Sequence, residues 1–254
     1  MRLIRLKESC GTLSDMGLRW RYSLAMGVLL AATGWAQVAP DAVQLLEKMR
    51  LAHGGEALAN LRTYQETATL VTFAGPQPEH KLTVVSYVDF GSKQLRVEYR
   101  DGANLIQIIQ VTPTSGQSWS VISGSKALEP ELAQELRNGL FQTWYGLRLG
   151  GSGREQARIL GQRTFGDVSG TAIEVTTQGS KTTYLVNAQH QLVAERYHSS
   201  QGQLTVLYTD FRGVSGILIP FQGRLYADGA LFAEVRVQEA RVNPVLRPET
   251  FRMP

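Results

Sequence analysis

Few residues of this chain could do chemistry, and their spacing gathers none of them into a recognisable site. The four histidines are His53, His80, His190 and His198. No HExxH occurs, and no acidic residue stands at a regular ligand offset from a histidine pair. His190 and His198 flank one strand-like stretch, which would hold them about 26 Å apart if extended. Each histidine is therefore expected on the solvent side, without a metal. Ser215 in GVSGI lacks the second spaced glycine of a nucleophile elbow. Neither GxxxxGK[ST] nor a GxGxxG between strand and helix is present. Asp89 and Glu98 could meet across a hairpin as an acid/base pair, but carboxylates that alternate with apolar residues read as the wet face of a sheet. The expectation is a protein that is not an enzyme and needs no cofactor.

The N-terminus indicates export. Arg2, Arg5, Lys7, Arg19 and Arg21 form a basic lead-in, and residues 22–36 follow without a charge. Gly34 and Ala36 supply the small-x-small exit of a secretory signal. This predicts a signal peptide over 1–36, cleaved after Ala36, and a single periplasmic domain over 37–254. An uncleaved membrane anchor is the alternative; the uncharged run ends at Asp41 and is short for a span of about 20 residues. Met16 is a second candidate start. The single cysteine, Cys10, precedes the apolar run, so it cannot be a lipidated cysteine after it, and cleavage would leave no thiol. Of the 26 Lys/Arg, five lie in the leader, as do two of the 22 Asp/Glu, which leaves 21 against 20. A net of +1 gives no reason to expect nucleic acid as a partner.

The elements that would position any site are mostly strands. Asp41 starts a helical stripe of Ala42, Leu45, Leu46, Met49 and Ala52, which Gly54-Gly55 ends. Then the period changes to two. Leu82, Val84, Val88 and Phe90 share one face, and Leu95, Val97 and Tyr99 alternate with Arg96, Glu98 and Arg100, one face dry and one wet. A second helix is predicted over 131–149, with Leu132, Leu136, Leu140, Trp144 and Leu147 as its stripe and Gly139 as its weak centre. After Arg154 strands return at intervals of about ten residues, with turn signals between them. Three prolines follow Val242, and this tail is expected along the sheet edge. Regular short strands with turns between them argue a mainly β (α+β) fold, a sheet that curls towards a barrel or sandwich and whose concave side the two helices can cover.

Such a sheet has an apolar inner face. Leu95, Val97, Tyr99 and Trp119 are expected on its wall, and Leu136, Leu140, Phe141 and Trp144 on a helical lid facing the cavity. An ordinary filled core is the alternative for each aromatic. If Gly139 loosens the lid, the helix can shift to admit a ligand; if it serves close packing, a methyl there would clash.

The order of short motifs over residues 41–254 resembles the LolA/LolB-like lipoprotein-carrier and outer-membrane lipoprotein-sorting group. The resemblance rests on HGGEALANLRT after the opening helix, on Gly116-Gln117-Ser118-Trp119, and on ILGQRTFGDVSGTAIEV and YLVNAQHQLVAER. It continues through Tyr208, Asp210, Phe211, Arg212, Val214, Gly216 and Pro220, and ends with Asn243, Phe251 and Pro254. It implies a strongly curved, open antiparallel half-barrel with helices covering its concave mouth, which holds the acyl chain of a lipid or lipoprotein with no cofactor and no catalytic residue; a monomer is expected, with inner- or outer-membrane transport components as candidate partners. In YVDFGSKQLRVEY the family's proline is missing, and Lys93 or Arg96 stands nearest to its lid-contacting basic residue. Two functions follow: a periplasmic carrier or sensor of acyl chains, or a non-catalytic envelope module whose cavity is filled by side chains.

Overall fold

The computed structural model describes residues 39–200 and 202–254. The predicted leader over 1–36, with its cleavage point, Cys10 and Met16, lies outside the described residues. Helix α1 (Pro40–Ala52) buries Ala42, Leu46 and Met49 along one stripe, and α2 (Glu56–Ala59) follows the glycine pair. Gly54, at φ 122, sits where a Cβ would strike the Gly216 carbonyl oxygen, so this junction requires glycine.

From Thr63 the chain is pleated. The first half holds β1 (Thr63–Ala74), β2 (Gln77–Asp89), β3 (Gln94–Asp101), β4 (Asn104–Val111), β5 (Gly116–Ser120) and β6 (Gly124–Ala127). The second holds β7 (Gln156–Phe165), β8 (Val168–Thr177), β9 (Ser180–Val186), β10 (Leu192–Ser199), β11 (Gly202–Val214), β12 (Ile217–Ala227) and β13 (Ala230–Val242). They form one antiparallel 13-stranded sheet in the order β6-β5-β4-β3-β2-β1-β13-β12-β11-β10-β9-β8-β7. The two edges do not pair, so the half-barrel is open, as the resemblance implies. Register shifts in β1, β3, β7, β10 and β12 add the bulges that curve it.

This order explains the helices. Strands β6 and β7 are consecutive in sequence but lie on opposite edges. The chain between them must cross the whole sheet on one face. That crossing carries α3 (Pro130–Gly139), α4 (Thr143–Gly146) and a 3-10 turn, Leu147–Leu149. The predicted single helix over 131–149 is thus two helices and a turn. Gly139 ends the first, Gln142 is extended, and Thr143 takes φ 57. The main core lies between these elements and the inner face, with Tyr64, Val88, Tyr184, Ile173 and Phe221 from the sheet packed against Leu46, Leu58, Leu140 and Trp144.

Antiparallel partners point to the same side of a sheet, so register separates the two faces. Tyr64 pairs with Val88, Val88 with Leu95, and Leu95 with Val111, all on the inner face. The outer face is not wholly wet. Phe165, Ala172, Leu185, Ala194 and Leu207 form a second apolar cluster on it, capped by the Arg196 guanidinium 3.9 Å over the Phe165 ring. On the other half, Arg96 and Glu98 are only 6% and 7% exposed. The C-terminal tail covers them. Asn243 at φ 52 turns the chain and accepts the Arg62 amide at 2.7 Å. Further along, Arg96 donates to the Arg252 carbonyl at 3.0 Å and Gln110 to the Phe251 carbonyl at 2.8 Å. The tail therefore crosses the outer face of β3 and β4 instead of following an edge, and the face expected to be wet is a buried ion network beneath it.

Candidate functional site

Register divides the predicted wall residues. Leu95, Val97 and Tyr99 occupy the inner face and are half-buried, opposite Val111, Ile109 and Gln107. Trp119 does not join them. It pairs with Ile108, which pairs with Glu98, so it points to the outer face. The reason is parity: Gly116 on the same strand faces inward, and a residue three further along must face out. That glycine has its own role. A Cβ on Gly116 would come within 2.6 Å of the Ala133 methyl, so its absence lets α3 lie close to β5.

The helical residues also separate. Trp144 lines an inner-face cavity of about 220 Å³ together with Tyr145, Tyr197, Tyr208, Val206 and Leu225. Leu140 is buried in the core and, with Phe141, borders a smaller hollow of about 190 Å³ that also holds Lys93. Of the two basic residues near the missing proline, Lys93 thus shares this hollow with the helical segment, whereas Arg96 is on the outer face. Leu136 is half-buried on α3 and does not line the Trp144 cavity.

Two polar latches hold α3 across the mouth. The Glu135 carboxylate accepts from the Ser200 amide at 3.1 Å and its hydroxyl at 2.9 Å. On the other side Arg137 donates to the Thr112 and Ser115 carbonyls, both at 3.4 Å. A groove of about 450 Å³ beside α3 is walled by Gln134, Glu135, Asn138 and Tyr197 with the end of β10. The α4 segment is anchored differently. Arg154 donates to the carbonyls of Gly146 (2.7 Å) and Phe141 (3.2 Å) and to the Thr177 hydroxyl (2.7 Å). Arg148 donates to the carbonyls of Leu140 and Tyr145, both at 2.9 Å. Buried Arg154 and half-buried Arg148 thus satisfy helix-end carbonyls through their side chains.

Two carboxylates stand on the inner face, where the alternation argument expects none. Glu66 on β1 accepts the Tyr64 hydroxyl at 2.8 Å, and Glu195 on β10 accepts the Tyr208 hydroxyl at 2.8 Å. Both line the Trp144 cavity, one on each wall, with Val206, Gly223, Leu225, Val235 and Val237 as its floor. Burial raises both acids, Glu195 to about 7 against the opposing pull of Tyr208 and of the Thr143 amide. Glu66 occupies an inward position in TYQETATL, between Tyr64 and Ala68, and that alternation was the one signal that could have located it. Asp89 and Glu98 do not meet: Asp89 pairs with Gln94 and holds the Gly91 amide at 2.9 Å, while Glu98 binds Arg96 and Arg100.

His53 is buried, not solvent-facing. Its Nε2 accepts the Leu192 amide at 3.0 Å, so the proton sits on Nδ1 and is donated to the Leu218 carbonyl at 2.9 Å. Both nitrogens are committed to backbone, which ties the end of α1 to β10 and β12 and leaves no lone pair for a metal.

No family model matches this chain, and no curated protein sequence matches it. Solved structures do. A DUF1329 family protein from Desulfovibrio piger superposes with a TM-score of 0.58 at 11% identity, covering 84% of this chain and 96% of that one. A LolA superfamily protein from Nitrosomonas europaea gives 0.57 at 16% identity, covering 83% and 97%. At these identities the likeness is one of fold, and it agrees with the resemblance drawn from the motifs.

Proposed function

We propose that this chain is an exported, non-catalytic carrier or sensor that takes the acyl chain of a lipid or lipoprotein onto the inner face of its half-barrel. One observation carries this. The apolar inner face continues beyond the part that the helices cover, and Leu70, Leu82, Val84, Val97 and Tyr99 remain only half-buried along it. A contiguous apolar strip of this kind marks a binding groove more often than an idle surface. Ten methylenes moved from water into such a groove contribute about 8 kcal/mol before ordering costs. The fold shared with a LolA superfamily protein supports the same reading.

The Trp144 cavity, about 220 Å³, is smaller than the roughly 300–1,000 Å³ usual for ligand pockets. A long chain would need α3 to move. This helix is the element suited to it, held by exposed latches and ending at Gly139, where a Cβ would meet nothing within 4 Å. The close-packing role for Gly139 finds no neighbour to support it. Delivery would need a donor or acceptor in the inner or outer membrane; among the described residues no helix is long and apolar enough to cross one.

The envelope-module reading draws support from the filling of the covered end by Trp144 and Leu140. Native mass spectrometry of protein purified from its own host separates the two. Co-purifying lipid, with uptake of a fluorescent fatty acid, is the expected result. A clean apo mass with no uptake favours the module.

A further inference from the structure

The carrier reading leaves the cavity's polar groups unexplained. Glu195 is 1% exposed; its Oε1 accepts the Tyr208 hydroxyl, and its Oε2 makes no hydrogen bond of good geometry, the nearby Thr143 amide included, although the residue lines the cavity. Glu66 lies on the opposite wall of the same cavity, and four aromatic rings, Trp144, Tyr145, Tyr197 and Tyr208, complete it. Among the described residues neither carboxylate is in an ion pair. The two arginines at this end are spent elsewhere. Arg148 serves two carbonyls with its guanidinium 4.1 Å over the Phe90 ring, and Arg154 serves the α4 carbonyls.

Two acids facing one small apolar cavity with no cation between them are costly in either form. Ionised, they lack a counter-charge; neutral, Glu195 leaves an oxygen unmatched. Both costs vanish if the cation arrives with the ligand. Aromatic faces are negative, and a ring-walled box with carboxylates at its sides is how proteins hold organic ammonium groups. An anionic head would meet two like charges, and a neutral hydroxyl would satisfy one acceptor at most.

We infer that this cavity binds an organic ammonium group, so that among amphiphiles of equal chain length the protein selects those with an amine head. This rests on the carrier reading for the acyl part of the ligand. The ammonium could come from an aminolipid or from a free amine, and these are distinguishable.

The test is competition at pH 8 against a bound fluorescent acyl probe, using dodecylammonium, dodecanol and dodecanoate below their micellar concentrations, with butylammonium as the chainless control titrated calorimetrically. Dodecylammonium is expected to compete about tenfold or more better than the other two. Glu195→Gln and, separately, Glu66→Gln should reduce that preference to within about twofold, and either variant alone suffices if the other does not fold. Weak binding of butylammonium assigns the group to an amphiphile; binding as tight as dodecylammonium assigns it to a free amine and still supports the ammonium site. Equal competition by all three chains overturns the ammonium inference and leaves the carrier reading standing. If no acyl probe binds at all, the carrier reading falls; calorimetry then decides the ammonium site by itself, with Glu195-dependent butylammonium binding in support and no heat against.

Discussion

The Arg96 guanidinium donates to the main-chain carbonyl of Arg252 at 3.0 Å, across 156 residues of sequence. The same guanidinium binds Glu98 at 2.9 Å, and Glu98 in turn binds Arg100. A charged network at 6–7% exposure is stable only while every member is paired. The tail supplies one acceptor to Arg96 and one to neighbouring Gln110. Deleting residues 247–254 should therefore destabilise the domain by about 2–4 kcal/mol, read as a lower denaturant midpoint. An unchanged midpoint would mean that water replaces the tail at no cost.

The Glu135–Ser200 contacts are exposed, so their loss should cost less than about 1 kcal/mol in stability. If they hold α3 shut, Glu135→Ala should still speed uptake of a fluorescent acyl probe several-fold in stopped flow. Uptake at the parent rate would show that α3 is not the gate.

At Gly139 an added methyl meets open space. Gly139→Ala should keep or raise stability, by up to about 1 kcal/mol from backbone entropy, and slow probe uptake by stiffening the end of α3. A destabilised variant with unchanged kinetics would sink the lid.

Burial lifts Glu195 from 4.5 to about 7. The folded protein therefore holds this proton at pH values where the unfolded chain has released it. Stability from this group is full below about pH 4.5 and falls as pH rises to about 7, by something of the order of 3 kcal/mol. The groups facing it are Tyr208, Tyr197, Tyr184, Tyr145 and Glu66, with Arg148 and Arg154 behind the tyrosines. Glu195→Gln should remove that slope and melt higher than the parent at pH 8. Parallel stability-pH curves for the two proteins would place the carboxylate in water.

Local pattern made much of this molecule legible. The alternation in KQLRVEYR determines that Leu95, Val97 and Tyr99 share a face, because a strand has a side-chain period of two whatever surrounds it. The stripe of α1 and the glycine pair after it follow from the same local geometry. Pattern alone could not say what covers each face, since burial depends on residues far away in sequence. Arg96 and Glu98 read as solvated until a tail 156 residues distant closes over them. Trp119 reads as wall until the pairing Trp119–Ile108–Glu98 turns it outward. His53 reads as surface until the Leu192 amide and Leu218 carbonyl reach it. The acids of the cavity were hidden for the same reason. Glu66 and Glu195 come from strands far apart in the chain, and only the curled β1-β13-β12-β11-β10 order sets them on facing walls of one cavity. Sequence determines the period and parity of each strand; the sheet order and its curvature decide which parities meet, because those are set by pairings that no local window contains.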